Sequence, residues 1–248
     1  LPAILVALAI AATANHYFKT REAAQLIIDS ARLTADHHPG RATSLLEEAR
    51  RLDPNNVAVR EQLGALYLQA KQYPQAIHEF QQALHFSPFS GADMLRLATA
   101  YEQSGNLSKA RDLLEEAGIK MPQDVNVQEE LAEVYAELKL FPEAIRSYQR
   151  VLQLAPNFPL ALNNLAWLYA TCPDARYRNP SAALQAALRA AQLTAWKQPD
   201  FVDTLAAALY VNGKANLAVK VETKALQLDP KNQAFQDNLL RYRHAAKP

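Results

Sequence analysis

A single cysteine, Cys172, stands among 248 residues, so the chain can build neither an intrachain disulfide framework nor a cysteine-based zinc cluster. Glycine is almost as scarce, six residues against fourteen prolines, which argues against a fold made of glycine-dependent turns. Neither charge is in excess. With 26 basic and 25 acidic side chains the formal net charge is +1, and a strongly basic nucleic-acid binder is excluded by composition. What the chain has is apolar material: half of it is hydrophobic, ample for a core and incompatible with global disorder. The length suits one large domain or two modest ones.

Catalytic signatures are missing as well. The chain has no G-x-G-x-x-G, no Walker loop and no G-x-S-x-G, the spacings that cradle phosphates or expose a nucleophilic serine. Asp36-His37-His38 sits before Pro39-Gly40 and reads as the solvated end of a helix, where the dipole favours histidine. His78 and His85 share a helix face but stand about 10 Å apart along the axis, too far for one metal. Cys172 reads as an isolated loop thiol, and Glu115-Glu116 and Glu129-Glu130 as solvated faces rather than acid/base pairs. The expectation is a protein that is no enzyme, with no catalytic residue, no cofactor and no metal site. Nucleic acid is not expected as a partner.

The organisation lies in a period. Pro54, Pro88, Pro122 and Pro156 are each 34 residues apart, and Tyr67, Tyr101, Tyr135 and Tyr169 keep the same interval. Between them recur the Leu-small pairs Leu63-Gly64, Leu97-Ala98, Leu131-Ala132 and Leu165-Ala166, then Ala76, Ala110 and Ala144, then Ala83, Ala117 and Val151. Such a period marks a pair of helices that stacks on its neighbours. The small residue lets two helices approach closely, the tyrosine fills the space beside them, and proline ends the second helix because it lacks an N–H. No pair buries its apolar face alone, so stacking supplies the core.

These residues resemble the tetratricopeptide repeat (TPR) family. The resemblance implies an all-α fold, a right-handed TPR superhelix or α-solenoid. Six helix–turn–helix units are expected at 23–56, 57–90, 91–124, 125–158, 159–198 and 199–232, with a long apolar N-terminal helix over 1–22 and a C-terminal capping helix over 233–248. The first unit departs from the pattern at Asp29, where leucine is usual, and the fifth carries about six extra residues between Thr171 and Pro180.

In TPR proteins the first helix of each unit lines an inner groove. The matching positions are Ala58, Glu61, Ala65 and Leu68, then Ala92, Leu95, Thr99 and Glu102, then Asn126, Glu129, Glu133 and Ala136, then Leu160, Asn163, Trp167 and Ala170. Glu61 and Ala65 stand where chaperone-binding TPR proteins carry the Lys and Asn of a carboxylate clamp, and only Asn163-Asn164 could belong to the asparagine ladder of sugar-transferase arrays. Neither of those two functions is implied. The expected partner-binding groove is Glu61, Ala65, Leu68, Leu95, Thr99, Leu160, Asn163 and Trp167, with inter-helix packing as the alternative for Trp167. Its apolar floor suits an amphipathic helix.

The chain itself opens on an apolar segment. Leu1, Ile4, Leu5, Val6, Leu8 and Ile10 would contribute roughly 9–18 kcal/mol gross on burial, against an association cost of about 4–15 kcal/mol. This run is short of the roughly 20 residues of a spanning helix and reads as a docking helix or the remnant of an anchor. Two functional expectations follow. One is a non-enzymatic interaction scaffold, membrane-associated or exported, acting as an adaptor in an envelope or membrane assembly. The other is a self-assembling subunit, a homo-oligomer or filament in which the apolar helix docks on a neighbouring copy. The expected partner is protein, either another copy or a helical peptide segment, with a membrane as a further contact. An extracytoplasmic or membrane-associated location is expected from the processed look of the start, while Lys19 and Arg21 lean the other way under the positive-inside rule.

Overall fold

Helix starts and stops are written into the repeat, and the backbone follows them. The computed structural model describes residues 2–35 and 37–246, with side chains from residue 11 onward except those of 34 and 35. Among the described residues there are helices and turns and no strand. Two compact units are formed, Leu1–Lys120 and Met121–Pro248. The first holds α1 (Pro2–Ala35), α2 (Pro39–Leu52), α3 (Val57–Gln69), α4 (Tyr73–Phe86), α5 (Gly91–Gln103) and α6 (Leu107–Lys120). The second holds α7 (Val125–Glu137), α8 (Phe141–Leu154), α9 (Pro159–Thr171), α10 (Pro180–Leu193), α11 (Pro199–Val211), α12 (Ala215–Leu228) and α13 (Gln233–Ala245). Within each unit consecutive helices pack in pairs and the pairs pack on one another, so each is an α-solenoid.

In five of the pairs the second helix ends two residues before a proline: Leu52 before Pro54, Phe86 before Pro88, Lys120 before Pro122, Leu154 before Pro156 and Leu228 before Pro230; α10 is the exception, ending at Leu193. Several of the next helices open on a side-chain cap. Asn56 accepts from the Val59 amide at 3.2 Å, Ser90 from Asp93 at 3.1 Å, Asp124 from Asn126 at 2.9 Å and Asn232 from Phe235 at 3.3 Å. Each satisfies an amide that has no partner within the helix. Inside the pairs the turn needs a left-handed residue, and Lys71, Gly105, Lys139 and Gly213 supply it with φ of 58°, 83°, 59° and 73°. The following amide then closes back on the helix, as Gln72 does on the Tyr67 carbonyl and Leu140 on that of Tyr135, both at 2.8 Å. This is the usual way to satisfy the last carbonyls.

Packing explains the small residues. Ala42, Ala76, Ala110 and Ala144 are fully buried, and so are Ala49, Ala83, Ala117 and Val151. At Gly64 the approach is tighter still: a Cβ there would lie 2.5–2.8 Å from the Phe80 ring. The periodic tyrosines tie one pair to the previous one. Tyr67 donates to Glu47 at 2.8 Å, while Tyr101 and Tyr169 accept from Gln81 and Gln149 at 2.8 and 2.9 Å.

Helix α1 is continuous through residue 22. From Ala23 onward it joins the core, where Leu26, Ile27 and Leu33 pack with Leu46, Val59 and Leu63. Ahead of that point Tyr17 and Phe18 are 61% and 64% exposed. No described helix is long and apolar enough to cross a membrane, and the long apolar helix expected from the sequence has no counterpart of that kind. Leu1 lies outside the described residues, and so do the side chains of Ile4, Leu5, Val6, Leu8 and Ile10.

The extra residues of the fifth unit fold locally, with a single 3-10 turn at Ala175–Tyr177. Arg178 donates to the Cys172 carbonyl at 2.6 Å and the Asn179 amide to that of Tyr169 at 2.9 Å. Cys172 is the first residue of this loop, where the sequence places an isolated thiol, and the structure adds that it is buried.

Two stability predictions follow from this geometry. Lys71→Gly and Lys139→Gly should each raise stability by about 0.5–1 kcal/mol, because relief of the left-handed strain exceeds the entropy cost of glycine. Gly64→Ala should lower it by about 1–3 kcal/mol through overpacking against Phe80. Urea unfolding followed by circular dichroism reads both.

Candidate functional site

In the first unit the inner side of α3 and α5 carries a hollow of about 360 Å³ lined by Ala65, Leu68, Gln69, Phe80, Arg96, Thr99 and Gln103. Ala65, Leu68 and Thr99 of the expected groove are thus brought together. Ala65 and Gln69 also line a second hollow of about 320 Å³ with Ala31, Leu46, Gln62 and Leu66. Leu95 is half-buried beside Thr99, whose hydroxyl is spent on the Leu95 carbonyl at 3.0 Å. Glu61 is not in the hollow. Its carboxylate pairs with Arg96 at 3.0 Å, and Arg96 also holds the buried Asp93 at 2.8 Å. Partial burial, then the Asp93 hydrogen bond, raises the Glu61 pKa against the pull of Arg96. Arg96 was missed in the sequence; its signal is the spacing of 35 residues from an acid at the same register.

In the second unit the inner helices are α7 and α9. Leu160 and Trp167 are 38% and 41% exposed, and seven residues place them on one helix face. Trp167 lines a hollow of about 740 Å³ with Ala136, Glu137, Lys139, Phe141, Leu168, Thr171, Cys172 and Pro173. Its indole is thus partly covered and partly open to this hollow. Asn163 is only 8% exposed and sits under the face. Its Nδ2 donates to Asn164 at 3.3 Å, and Asn164 donates to Glu133 at 3.4 Å and to the Tyr148 hydroxyl at 3.2 Å. The Asn163 Oδ1 and the Glu130 Oε2 are buried without a hydrogen-bond partner.

The acids here correct the reading of Glu129-Glu130 as a solvated face: both are half-buried. Burial, then the charges of Glu133 and Glu130, pushes the Glu129 carboxyl up to about 7, and it hydrogen-bonds Glu133. Glu133 is raised too, by burial first and then by Glu130 and Glu137, with Asn164 opposing.

Farther along, Asp203 on α11 takes the register of Glu61 and Glu129. It is buried and accepts from Asn238 of α13 at 2.8 Å. Glu222 of α12 faces it, fully buried. Burial first, then the Asp203 charge, pushes the Glu222 carboxyl up to about 9, against Arg241. Neither Glu222 oxygen receives a hydrogen bond from a donor group, so it keeps its proton and shares it with Asp203. Among the described residues no group of three or more His, Cys, Asp or Glu side chains is arranged to hold a metal.

A family model of the tetratricopeptide repeat matches residues 33–93 and 70–134, and a second model of the same repeat matches 126–158. Together they span 33–158, just over half of the 248 residues. The chain belongs to the tetratricopeptide repeat family. No curated protein matches it in sequence. Among solved structures this TPR protein is similar to a chain of the APC/C hetero-tetramer Cut9–Hcn1, with a TM-score of 0.72 at 18% identity over 89% of its length. It spans 42% of that chain. It is also similar to pilF of Pseudomonas aeruginosa, with a TM-score of 0.75 at 17% identity, covering 90% of this chain and 99% of that one. PilW, a widely conserved type IV pilus biogenesis factor, gives 0.74 at 18% identity, with 88% and 98% covered. At such identities the likeness is one of fold. The TPR register makes α3, α5, α7, α9 and α11 first helices of their pairs, and Ala65, Leu68, Thr99 and Trp167 of the hollows described above fall on them.

The buried acid pair has a pH consequence. Unfolded Glu222 releases its proton near its ordinary value of 4.5 and folded Glu222 near about 9. Between those limits the folded TPR chain binds the extra proton, so this contribution is complete below the lower limit and is lost as pH rises toward the upper one. Glu222→Gln removes the titration. The variant should gain on the wild type by up to about 1.4 kcal/mol per pH unit across that window, read as urea midpoints at several pH values.

Proposed function

We propose that this TPR protein is a non-enzymatic adaptor that holds a segment of another protein against its inner helices within an envelope or membrane assembly. The observation that carries the reading is the pair of inner hollows. Leu68 with Ala65 in one unit, and Trp167 with Phe141 in the other, line concave surfaces at the positions that in a solenoid present a binding face rather than core. Leu160 adds apolar area that is open to solvent. A protein of similar fold, PilW, is a type IV pilus biogenesis factor, and that role lends support to a part in an assembly.

The second reading is the self-assembling subunit. Its supporting observation is α1, where Tyr17 and Phe18 are more than half exposed ahead of the first core residue, Ala23. One experiment serves both readings. A photo-crosslinking residue is placed at Leu68, at Trp167 and, as an outer control, at Leu193, and the full chain is crosslinked in its native cell. The adaptor reading expects adducts with a different protein from the two inner positions and none from the control. Adducts with the chain itself that disappear when Tyr17 and Phe18 are changed to serine establish self-assembly instead. No inner adduct of either kind overturns both.

A further inference from the structure

The second unit leaves one set of hydrogen-bonding groups without the partner that their register supplies elsewhere. Acids at the Glu61 register normally meet a donor 35 residues on. Arg96 donates to Glu61, and Asn238 donates to Asp203. For Glu129 the residue at that spacing is Asn164, yet Asn164 spends its amide on Glu133 and Tyr148. Glu129 is left to share a proton with Glu133. At the same register of α9 the Asn163 Oδ1, in a side chain more than nine-tenths buried and joined to Asn164, accepts nothing. What the cluster lacks is a cationic donor. Glu129, Glu133 and Glu137 recur every fourth residue of α7, about 6 Å apart along one face. Glu137 is on the wall of the hollow that Trp167, Phe141 and Ala136 make apolar.

The chain supplies an internal example of what covers such a position. Helix α13 lies against α12 with Phe235, Leu239 and Tyr242 buried, while Asn238 and Arg241 present donors to Asp203 and Tyr242. An apolar stripe flanked by donors is thus the chemistry that this fold already accepts over an inner acid.

We infer that the inner face of the second unit docks a cationic amphipathic segment of a partner protein, placing a lysine or arginine on Glu129 and Glu133 and a large apolar side chain in the Trp167 hollow. This rests on the adaptor reading and names its partner class at this face. Charge complementarity fixes the choice: the unspent groups are acceptors, and an acidic or neutral segment would leave them desolvated. The proton between Glu129 and Glu133 is what a bare acidic face uses in place of the cation.

The test uses the full-length chain and labelled synthetic amphipathic peptides, one of leucine and lysine, one of leucine and glutamate, one of leucine and glutamine, read by fluorescence anisotropy. The leucine–lysine peptide should bind about tenfold or more tighter than the other two. The double variant Glu129→Gln/Glu133→Gln, and separately Glu137→Gln at the exposed rim of the hollow, should weaken it, the double variant by about tenfold or more. Glu116→Gln, which removes one negative charge elsewhere as the double variant does from the proton-sharing pair, should not. Equal binding of the lysine and glutamate peptides overturns the inference, as does equal loss in the control variant or no binding by any probe. If the glutamine peptide binds as well and Trp167→Ala abolishes it, the inner face is still a protein-binding surface and only its cationic preference falls.

Discussion

Alanine at the helix contacts is the constraint from which the rest follows. An antiparallel pair can close only as far as its contact side chains allow, and here those side chains are methyl groups or less. Ala42, Ala76, Ala110 and Ala144 are fully buried at one contact, Ala83 and Ala117 at the other. Close approach at these points puts the larger core side chains, Phe80 and Tyr148 among them, at fixed intervals beside the contacts. The tyrosines bond back to the preceding pair for that reason, and the turns must be short and left-handed. On the inner side of α9 the first helix then keeps open apolar surface at Leu160 and Trp167.

This division of labour separates what was legible in the sequence from what was not. Prolines two residues past five of the second helices, the Leu-small pairs and the tyrosine interval were all readable, because packing demands the same kind of residue at the same register from pair to pair. The expected groove was legible only in part. Ala65, Leu68 and Thr99 share a hollow, and Trp167 lines another, as helical spacing implies. Asn163 is buried instead of open, and Glu61 is engaged by Arg96. Burial of a polar side chain depends on what the next pair places over it, and the repeat pattern carries no information on that. Cys172 shows the same limit: the inserted turn that covers it has no period to be read from.

Buried ionisable groups mark where the repeat was bent to another end. Glu79 is buried but held between Arg50 and Arg60, so its charge is matched within the fold. Glu222 occupies a core position that Phe80 and Tyr148 fill in other pairs, and a carboxyl there survives by staying protonated against Asp203. An apolar residue would pack more favourably at that point. The pair instead gives α13 a polar anchor through Asn238 and Arg241, which fixes where the terminal helix sits on an otherwise smooth alanine surface.

The same reasoning distinguishes the two acidic places of the second unit. At Asp203 the donor comes from within the chain and the site is closed. At Glu129 the register delivers an asparagine that is turned to Glu133 and Tyr148, and a proton fills the gap. A net charge of +1 over the whole chain conceals this asymmetry, because Coulomb interactions at protein surfaces act over about a Debye length and not over a molecule. A partner meets the local stripe of Glu129, Glu133 and Glu137, with the Trp167 hollow beside its far end. Burial and the neighbouring acids already oppose the charge on Glu129 and Glu133, so the same repulsion that a proton relieves in the bare face is what a lysine or arginine of a partner would relieve on docking.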